Sequence, residues 1–444
     1  MRHSLVILRE GQHYRPAVYF WFPSFRKTVC MRQPLLFLVS LFSGLTASAG
    51  GFDTGPQGAR VLGLGGASTA YINSIAGLST NPGLLGQWGD SLTRLSFGGI
   101  GQIRRASFVG QDTYQRTNQE LAIQPGGYFY ATRGISQRVS LGLAITTPYG
   151  YHTKWPSTWE GRSVVQESQL NTYFVQPTVG FKLNNNLSAG VGFVYAYGKY
   201  SQHSALGQYD NAAAQTQRSS TGSGIGFNVG LYGRTGDNLA FGISYRSGVQ
   251  LKMNNGTTTN TGIPDRDVFL YPTASDFKTQ LNLPSTLSVG IADRIMPKLL
   301  LTFDFTLSGW STLDSLKLDV AASGSTPARH ISTPRRYEDA LAFRIGTEYQ
   351  ASSKLTVLGG LHYDESPIRD EYINPEFIDA NRIGASAGFS YQFAPHLALE
   401  AAYSFDYGQL RTARTNQSQE RVSNVSGTYR SVTHAASVGV AMAF

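Results

Sequence analysis

Along most of the chain, apolar side chains fall at every second position. In residues 139–146, Val139, Leu141, Leu143 and Ile145 alternate with Ser140, Gly142, Ala144 and Thr146. Residues 187–197 set Leu187, Ala189, Val191, Phe193, Tyr195 and Tyr197 against Ser188, Gly190, Gly192, Val194 and Ala196. Residues 397–407 set Leu397, Leu399, Ala401, Tyr403, Phe405 and Tyr407 against Ala398, Glu400, Ala402, Ser404 and Asp406. Strand side chains point alternately to two faces, so this period predicts strands with one oily face each. A soluble sandwich also alternates, but it turns a charged face to water. Here the second face is Gly, Ala, Ser and Thr with an occasional charge, which suits the inside of a barrel whose outside meets lipid. Short turns at 184–186, 235–238, 296–298, 351–354 and 394–396 alternate with longer polar loops at 149–166, 201–222, 253–280, 312–338, 365–378 and 412–427. Unequal connections on the two sides are the outer-membrane barrel arrangement, and counting segments from Ser91 onward gives about fourteen strands. The fold class expected is therefore all-β, a transmembrane antiparallel β-barrel over residues 91–444. Aromatics near segment ends (Tyr128, Phe129 and Tyr130; Tyr195, Tyr197 and Tyr200; Tyr403, Phe405 and Tyr407) read as girdles at the two membrane surfaces.

Composition supports the oily exterior. Only 15% of the 444 residues are charged, 12% are aromatic and 49 are glycine. A quarter charged is usual for soluble domains. The net charge of +9 is scattered, without the basic cluster or module that nucleic-acid binding requires. The only cysteine, Cys30, precedes the expected cleavage point, so the mature chain has no disulfide framework, thiol nucleophile or thiolate metal site.

Residues 31–49, MRQPLLFLVSLFSGLTASA, form a signal peptide: Arg32 supplies the charged start, 35–45 the short apolar core, and Ala47-Ser48-Ala49 the cleavage pattern. The core is too short for a permanent membrane helix. Residues 1–30 do not fit ahead of a complete signal and read as a mis-called extension, with an unusually long n-region as the rival reading. At the other end, THAASVGVAMAF alternates up to Phe444. A terminal Phe on such a strand resembles the signal by which bacterial outer-membrane barrels meet their assembly machinery. The location expected is the outer membrane of a Gram-negative bacterium.

The stretch 50–88 breaks the alternation. It is rich in glycine and contains Asn81-Pro82-Gly83, a chain-break signal because proline restricts its predecessor and donates no N–H. Ahead of a barrel, such a segment is expected to fold into the lumen. Here the chain resembles the outer-membrane long-chain fatty-acid transporter family (FadL/TodX-type). The resemblance rests on Gly63-Leu64-Gly65-Gly66-Ala67 followed by Asn81-Pro82-Gly83, where the family has Asn-Pro-Ala. Residues 147–162, 281–311 and 365–391 follow in the family's order. The resemblance implies a fourteen-stranded barrel, a small N-terminal hatch over residues 50–90, and a monomer. It also implies passive uptake of long-chain fatty acids or similar hydrophobic molecules, which leave sideways into the membrane through a strand kink beside the hatch. The lipopolysaccharide layer around such a barrel blocks direct partition of greasy molecules.

In the same frame, Asn81, Pro82 and Gly83 are the hatch-turn candidates. Trp155 and Trp159 either hold an apolar ligand at the mouth or anchor the barrel at the interface. Alternation aims Arg246, Asp304, Arg344, Glu348, Arg382, Glu400 and Asp406 at the lumen, where most are expected to pair with one another. Arg246 or Arg344 is the candidate for a ligand carboxylate. Enzymatic readings are weak. The G-x-S-x-G match at 384–388 lies inside an alternating strand, where the required elbow is absent. Histidines lack metal spacing, and no cofactor is expected. An aromatic-hydrocarbon channel, a general porin, a barrel enzyme and an adhesin stand as alternatives.

Overall fold

The computed structural model describes residues 50–206, 214–267, 271–324, 326–413 and 425–444. The expected extension and signal peptide lie outside these residues. Fourteen antiparallel strands form the wall. They are β1 (Thr93–Gly110), β2 (Ile123–Gly134), β3 (Val139–Thr146, continued by Gly150–Lys154), β4 (Glu167–Lys182), β5 (Leu187–Ala205) and β6 (Gln215–Thr235). They continue with β7 (Leu239–Arg246, then Val249–Thr261), β8 (Ala274–Leu283, then Thr286–Met296), β9 (Leu299–Ser308, then Ser315–Val320) and β10 (Arg329–Pro334, then Ala340–Gln350). The last four are β11 (Leu355–Asp364), β12 (Arg382–Ala394), β13 (Leu397–Gly408) and β14 (Gly427–Ala443). Each strand pairs with the next, and β14 returns to β1 in an unbroken register from Arg94↔Ala443 to Gly110↔Gly427. Closure removes the sheet edges, which hydrocarbon cannot satisfy.

The two faces divide as the alternation predicts. On β5, Phe193 is 51% exposed while Ser188 is fully buried. The aromatic girdles need correction. Tyr195, Tyr197, Tyr403, Phe405 and Tyr407 point outward, but Tyr128 and Tyr130 are buried against the lumen contents. Neighbours on a strand face opposite ways, so a Tyr-Phe-Tyr run cannot lie wholly in lipid. The long loops also differ from expectation. Much of 201–222, 253–280 and 312–338 is strand. These extensions stand above the oily band, and in VQLKM of β7 the pattern inverts: Val249, Leu251 and Met253 are buried inward while Gln250 and Lys252 are exposed.

Residues 50–88 lie within the bore as short pieces: helix α1 (Ala59–Gly63) and single turns at Ile75–Ser79 and Pro82–Gln87. Leu64, Tyr71, Leu78, Leu84 and Leu85 are fully buried, packed against Tyr130, Ala144 and Leu358 of the wall.

Candidate functional site

The small inner face of the wall has a direct cause: the N-terminal segment presses its backbone onto it. Asn81 accepts the Gly83 N–H (2.9 Å) and donates to the carbonyls of Thr69 (2.8 Å) and Leu231 (3.0 Å) on β6. Pro82 opens the turn that follows. A Cβ on Gly83 would lie 2.7 Å from the Leu231 carbonyl carbon, and one on Gly230 would lie 2.0 Å from the Asn81 oxygen. The Ala-to-Gly departure from the family's triplet therefore sits where the wall leaves no room for a methyl group.

Charged wall residues grip the same segment. Asp304 accepts hydrogen bonds from the Ser68 N–H (2.7 Å), the Thr69 N–H (2.8 Å) and the Thr69 hydroxyl (2.7 Å). Arg60 of α1 meets Glu348 (3.0 Å) and Glu400 (3.6 Å). Burial opposes the Arg60 charge, but Tyr71 and the two glutamates outweigh it and hold the guanidinium more firmly protonated than usual. Burial pushes the Tyr71 hydroxyl well above its ordinary range, so it stays a donor, to Glu348.

One seam of the wall lacks its backbone ladder. β2 pairs with β1 from Thr93↔Arg133 to Ile103↔Ile123, but with β3 only from Phe129↔Ile145 to Gly134↔Ser140. β3 stops at Thr146 and resumes at Gly150, where it pairs with β4 alone. The rims meet again above, through Glu120 N–H to the Lys154 carbonyl (2.8 Å) and His152 to the Ile123 carbonyl (3.1 Å). Between lies a window bounded by residues 124–128 and 147–151. Its residues explain it. Pro125 and Pro148 lack the N–H a ladder needs, and Gly126 lets Thr147 approach to 2.6 Å from where a Cβ would lie.

The broken strand takes its partner from inside. Thr54 N–H donates to the Pro148 carbonyl (3.0 Å), and Gly150 N–H donates to the Phe52 carbonyl (2.8 Å). The Gln57 side-chain oxygen accepts from the Thr147 N–H (3.0 Å) and hydroxyl (3.2 Å). The Tyr130 hydroxyl donates to the Gln57 carbonyl (2.6 Å). The start of the lumenal segment thus stands in for the missing strand.

Above this segment lies an apolar cavity of about 200 Å³, walled by Phe52, Tyr151, Met253, Phe277, Leu281 and Tyr337 among others. Strands β7 to β10 are each interrupted near this level, and their upper pieces form much of its wall. One polar strip crosses it: Arg218 donates to Gln202 (3.2 Å), Gln202 donates to Glu376 (2.7 Å), and Arg335 donates to Glu376 (2.6 Å). Two guanidinium groups and one carboxylate leave a surplus positive charge among apolar walls. Phe52 and Tyr151 belong both to this cavity and to the window's inner rim, so they separate the two by one layer of side chains.

The other candidates are placed as follows. Trp155 and Trp159 stack on each other with centroids 4.4 Å apart, and both are 2% exposed. Their N–H groups donate to the Pro375 and Val165 carbonyls. They face the buried cluster around Phe108 and Val165 and not the lipid, which removes the anchoring role. Arg344 is tied to Asp364 (2.9 Å) and reaches the Gly65 carbonyl. Arg246 lies over the Tyr149 ring (5.6 Å) and donates to its hydroxyl (3.1 Å), with no carboxylate at ion-pair distance among the described residues. Both arginines line a polar chamber of about 110 Å³ between the lumenal segment and the wall. The remaining lumenal charges pair as expected, Arg382 with Asp364 and Asp406 with His362. Sequence reasoning missed Arg218, Arg335, Glu376 and Gln57. Ser386 of the G-x-S-x-G match lies mid-strand in β12, paired on both sides, and its hydroxyl donates to the Gly63 carbonyl (3.1 Å).

Comparison with known proteins agrees with this architecture. The family described as outer membrane protein transport protein (OMPP1/FadL/TodX) matches residues 41–444. The long-chain fatty acid transport protein of Escherichia coli K12 is 26% identical, over 86% of this chain and 93% of that protein. A solved Pseudomonas aeruginosa FadL homologue superposes with a TM-score of 0.75 at 18% identity, covering 88% of this chain and 99% of the other. The Pseudomonas putida toluene transporter TodX gives 0.68 at 14% identity, covering 88% and 99%. The fourteen-stranded barrel with its occupied bore thus belongs to the OMPP1/FadL/TodX family of outer-membrane transport proteins.

Proposed function

We propose that this protein is a channel for passive uptake of long-chain fatty acids or similar hydrophobic molecules, with residues 50–90 as its hatch and the β2–β3 window as its exit. The observation that carries this reading is an apolar cavity one side-chain layer away from an unpaired stretch of wall. An apolar ligand entering from outside meets Phe52, Tyr151 and their neighbours first. Straight down the bore it would meet Asp304, Arg60, Glu348 and Glu400, which would lose hydration or partners beside a greasy chain. Through the window it passes into hydrocarbon, avoiding a re-exposure of about 0.8 kcal/mol per CH₂. Release of residues 52–57 from Thr147, Pro148 and Gly150 opens that path.

Within this reading, Asn81, Pro82 and Gly83 seat the hatch, and Arg218 with Arg335 meets a ligand carboxylate. Arg246 is a second carboxylate contact at the exit, while Arg344 holds the hatch. Trp155 and Trp159 shape the mouth. The barrel is a monomer in this reading, set in outer-membrane lipid and lipopolysaccharide, with Phe444 engaging the assembly machinery. A second reading, small aromatic hydrocarbons, is favoured by cavity size. About 200 Å³ is below the roughly 300–1,000 Å³ of drug-sized sites, so it holds a small aromatic whole or one end of an acyl chain.

The test is uptake of labelled oleate and labelled toluene by cells lacking their own transporter, at matched levels of folded barrel, with a small polar dye as control. The intact protein is expected to carry a hydrophobic substrate and exclude the dye, and deletion of 50–88 to admit the dye. Uptake of neither substrate above background overturns the reading.

A further inference from the structure

The outer face of the barrel is apolar up to a definite height. On β1 the outward positions run Leu95, Phe97, Gly99, Gly101, Ile103, then Arg105, and on β14 they run Met442, Val440, Val438, Ala436, His434, Val432, then Arg430. Ten to twelve residues at about 3.3 Å each, tilted by about 40°, span roughly 25–30 Å along the membrane normal, the height of the oily band. Arg105 and Arg430 therefore stand at its upper edge, where the headgroups of the outer leaflet begin.

They are not alone there. Arg430 pairs with Ser107 in the β1–β14 register, so Arg105, two residues along, is its diagonal neighbour at roughly 7–8 Å. On the other side of Ser107 the short strand Arg116–Asn118 pairs with β1, placing Asn118 beside Ser107 and Arg116 beside Val109. Arg105, Arg116 and Arg430 are all exposed. Arg430 donates to the Tyr407 hydroxyl (3.3 Å) and lies over its ring (5.9 Å), which fixes the guanidinium against the wall. Among the described residues, none of the three arginines makes an ion pair. Of the described acids around the patch, Glu120 pairs with Lys154, Glu160 accepts from the Thr113 hydroxyl, and Asp112 lies in the turn above.

We propose that this patch binds the phosphate groups of lipopolysaccharide in the outer leaflet, with Arg105, Arg430 and Arg116 as phosphate ligands and Ser107 and Asn118 as hydrogen-bond donors between them. The charge argument is specific. A guanidinium fork matches a phosphate. Unpaired arginines at a lipid-facing height persist where an anionic headgroup offsets their charge. Acyl chains of the same lipid would lie along Ile103, Val432, Phe405 and Tyr403 below. This inference concerns the outside of the barrel and does not depend on what the channel carries.

The test uses purified full-length protein in detergent and fluorescent hexa-acyl lipid A, in bisphosphorylated and dephosphorylated forms. The wild type is expected to prefer the bisphosphorylated form by about tenfold or more, the change that loss of charge-assisted contacts brings. The Arg105→Gln, Arg116→Gln, Arg430→Gln triple variant is expected to lose that preference, and the corresponding triple Lys variant to keep most of it. Heat-modifiable mobility on gels checks that each barrel is folded, and Arg430→Gln alone serves if the triple variant is not. Equal binding of the two lipid forms, or an unchanged preference in the Gln variant, overturns the proposal. Competition by phosphatidylglycerol vesicles as effective as that by lipid A overturns the assignment to lipopolysaccharide.

Discussion

The two halves of the bore are made by the same fourteen strands and are opposite in character. The upper half is lined by Phe52, Tyr151, Met253, Phe277, Leu281 and Tyr337, and the charged residues that line its cavity are Arg218, Arg335 and Glu376. The lower half is filled by residues 50–88 and tied to the wall through Asp304, Arg60, Glu348, Glu400 and Asn81. The difference teaches that packing alone does not divide the channel. A greasy molecule is stable in the upper half and would break buried polar contacts in the lower, so the lowest route leads through the wall between them, where Pro125, Gly126, Gly127, Thr147 and Pro148 leave it unpaired.

The largest effect that would break this comparison comes from the lower half. Arg60→Ala leaves Glu348 and Glu400 without their buried partner, a loss of about 3–5 kcal/mol for a pair of this kind. The expected outcome is a loosened hatch, read as polar-dye leakage, while ligand affinity of the upper cavity is unchanged. Next comes Gln57→Ala. It removes the acceptor of the Thr147 N–H and hydroxyl and is expected to lower stability by about 1–3 kcal/mol in guanidinium unfolding. Oleate uptake should rise with little dye leakage, because the window's inner stitch loosens while the charged grip remains. Arg218→Gln acts only above. Fatty-acid binding should weaken by about tenfold, or roughly 1.4 kcal/mol, by fluorescence titration, with toluene binding unchanged. An equal loss for both ligands would show that the residue shapes the cavity without meeting a carboxylate. The smallest effect is expected of Ser386→Ala. It removes one hydrogen bond to Gly63, costs about 0.5–1.5 kcal/mol, and should leave uptake intact.

The barrel was legible because lipid on one side and a crowded lumen on the other impose alternation over most strands. The lumenal segment 50–88 was legible as a place where that alternation stops. The window was not. Pro125 and Pro177 look alike in the sequence, each within an alternating segment. Pro177 lies opposite Leu143 in β3, and the pairing of β4 with β5 skips residues 176 and 177 and resumes in the same register. Pro125 meets a β3 that has already ended at Thr146. What separates them is the neighbouring strand, which no local pattern carries. Arg218 and Arg335 escaped for a related reason. Arg218 sits on an extension above the oily band and Arg335 in the break between the two pieces of β10, where no oily outer face marks which positions point inward. The two tryptophans were visible as a pair but not in orientation, because a loop has no period from which to read a side chain's direction.

Lateral exit between β2 and β3 has a direct test. The sequence has one cysteine, Cys30, ahead of the expected cleavage point, so a mature Gly126→Cys, Thr147→Cys variant has only the introduced thiols. These positions face each other across the window: a Cβ on Gly126 would lie 2.6 Å from the Thr147 hydroxyl oxygen. The measurement is oleate uptake by cells carrying this variant, oxidised and then reduced, with each single-cysteine variant alongside. Lateral exit predicts uptake at background when the window is cross-linked and recovery on reduction. Undiminished uptake through a fully cross-linked window would contradict it.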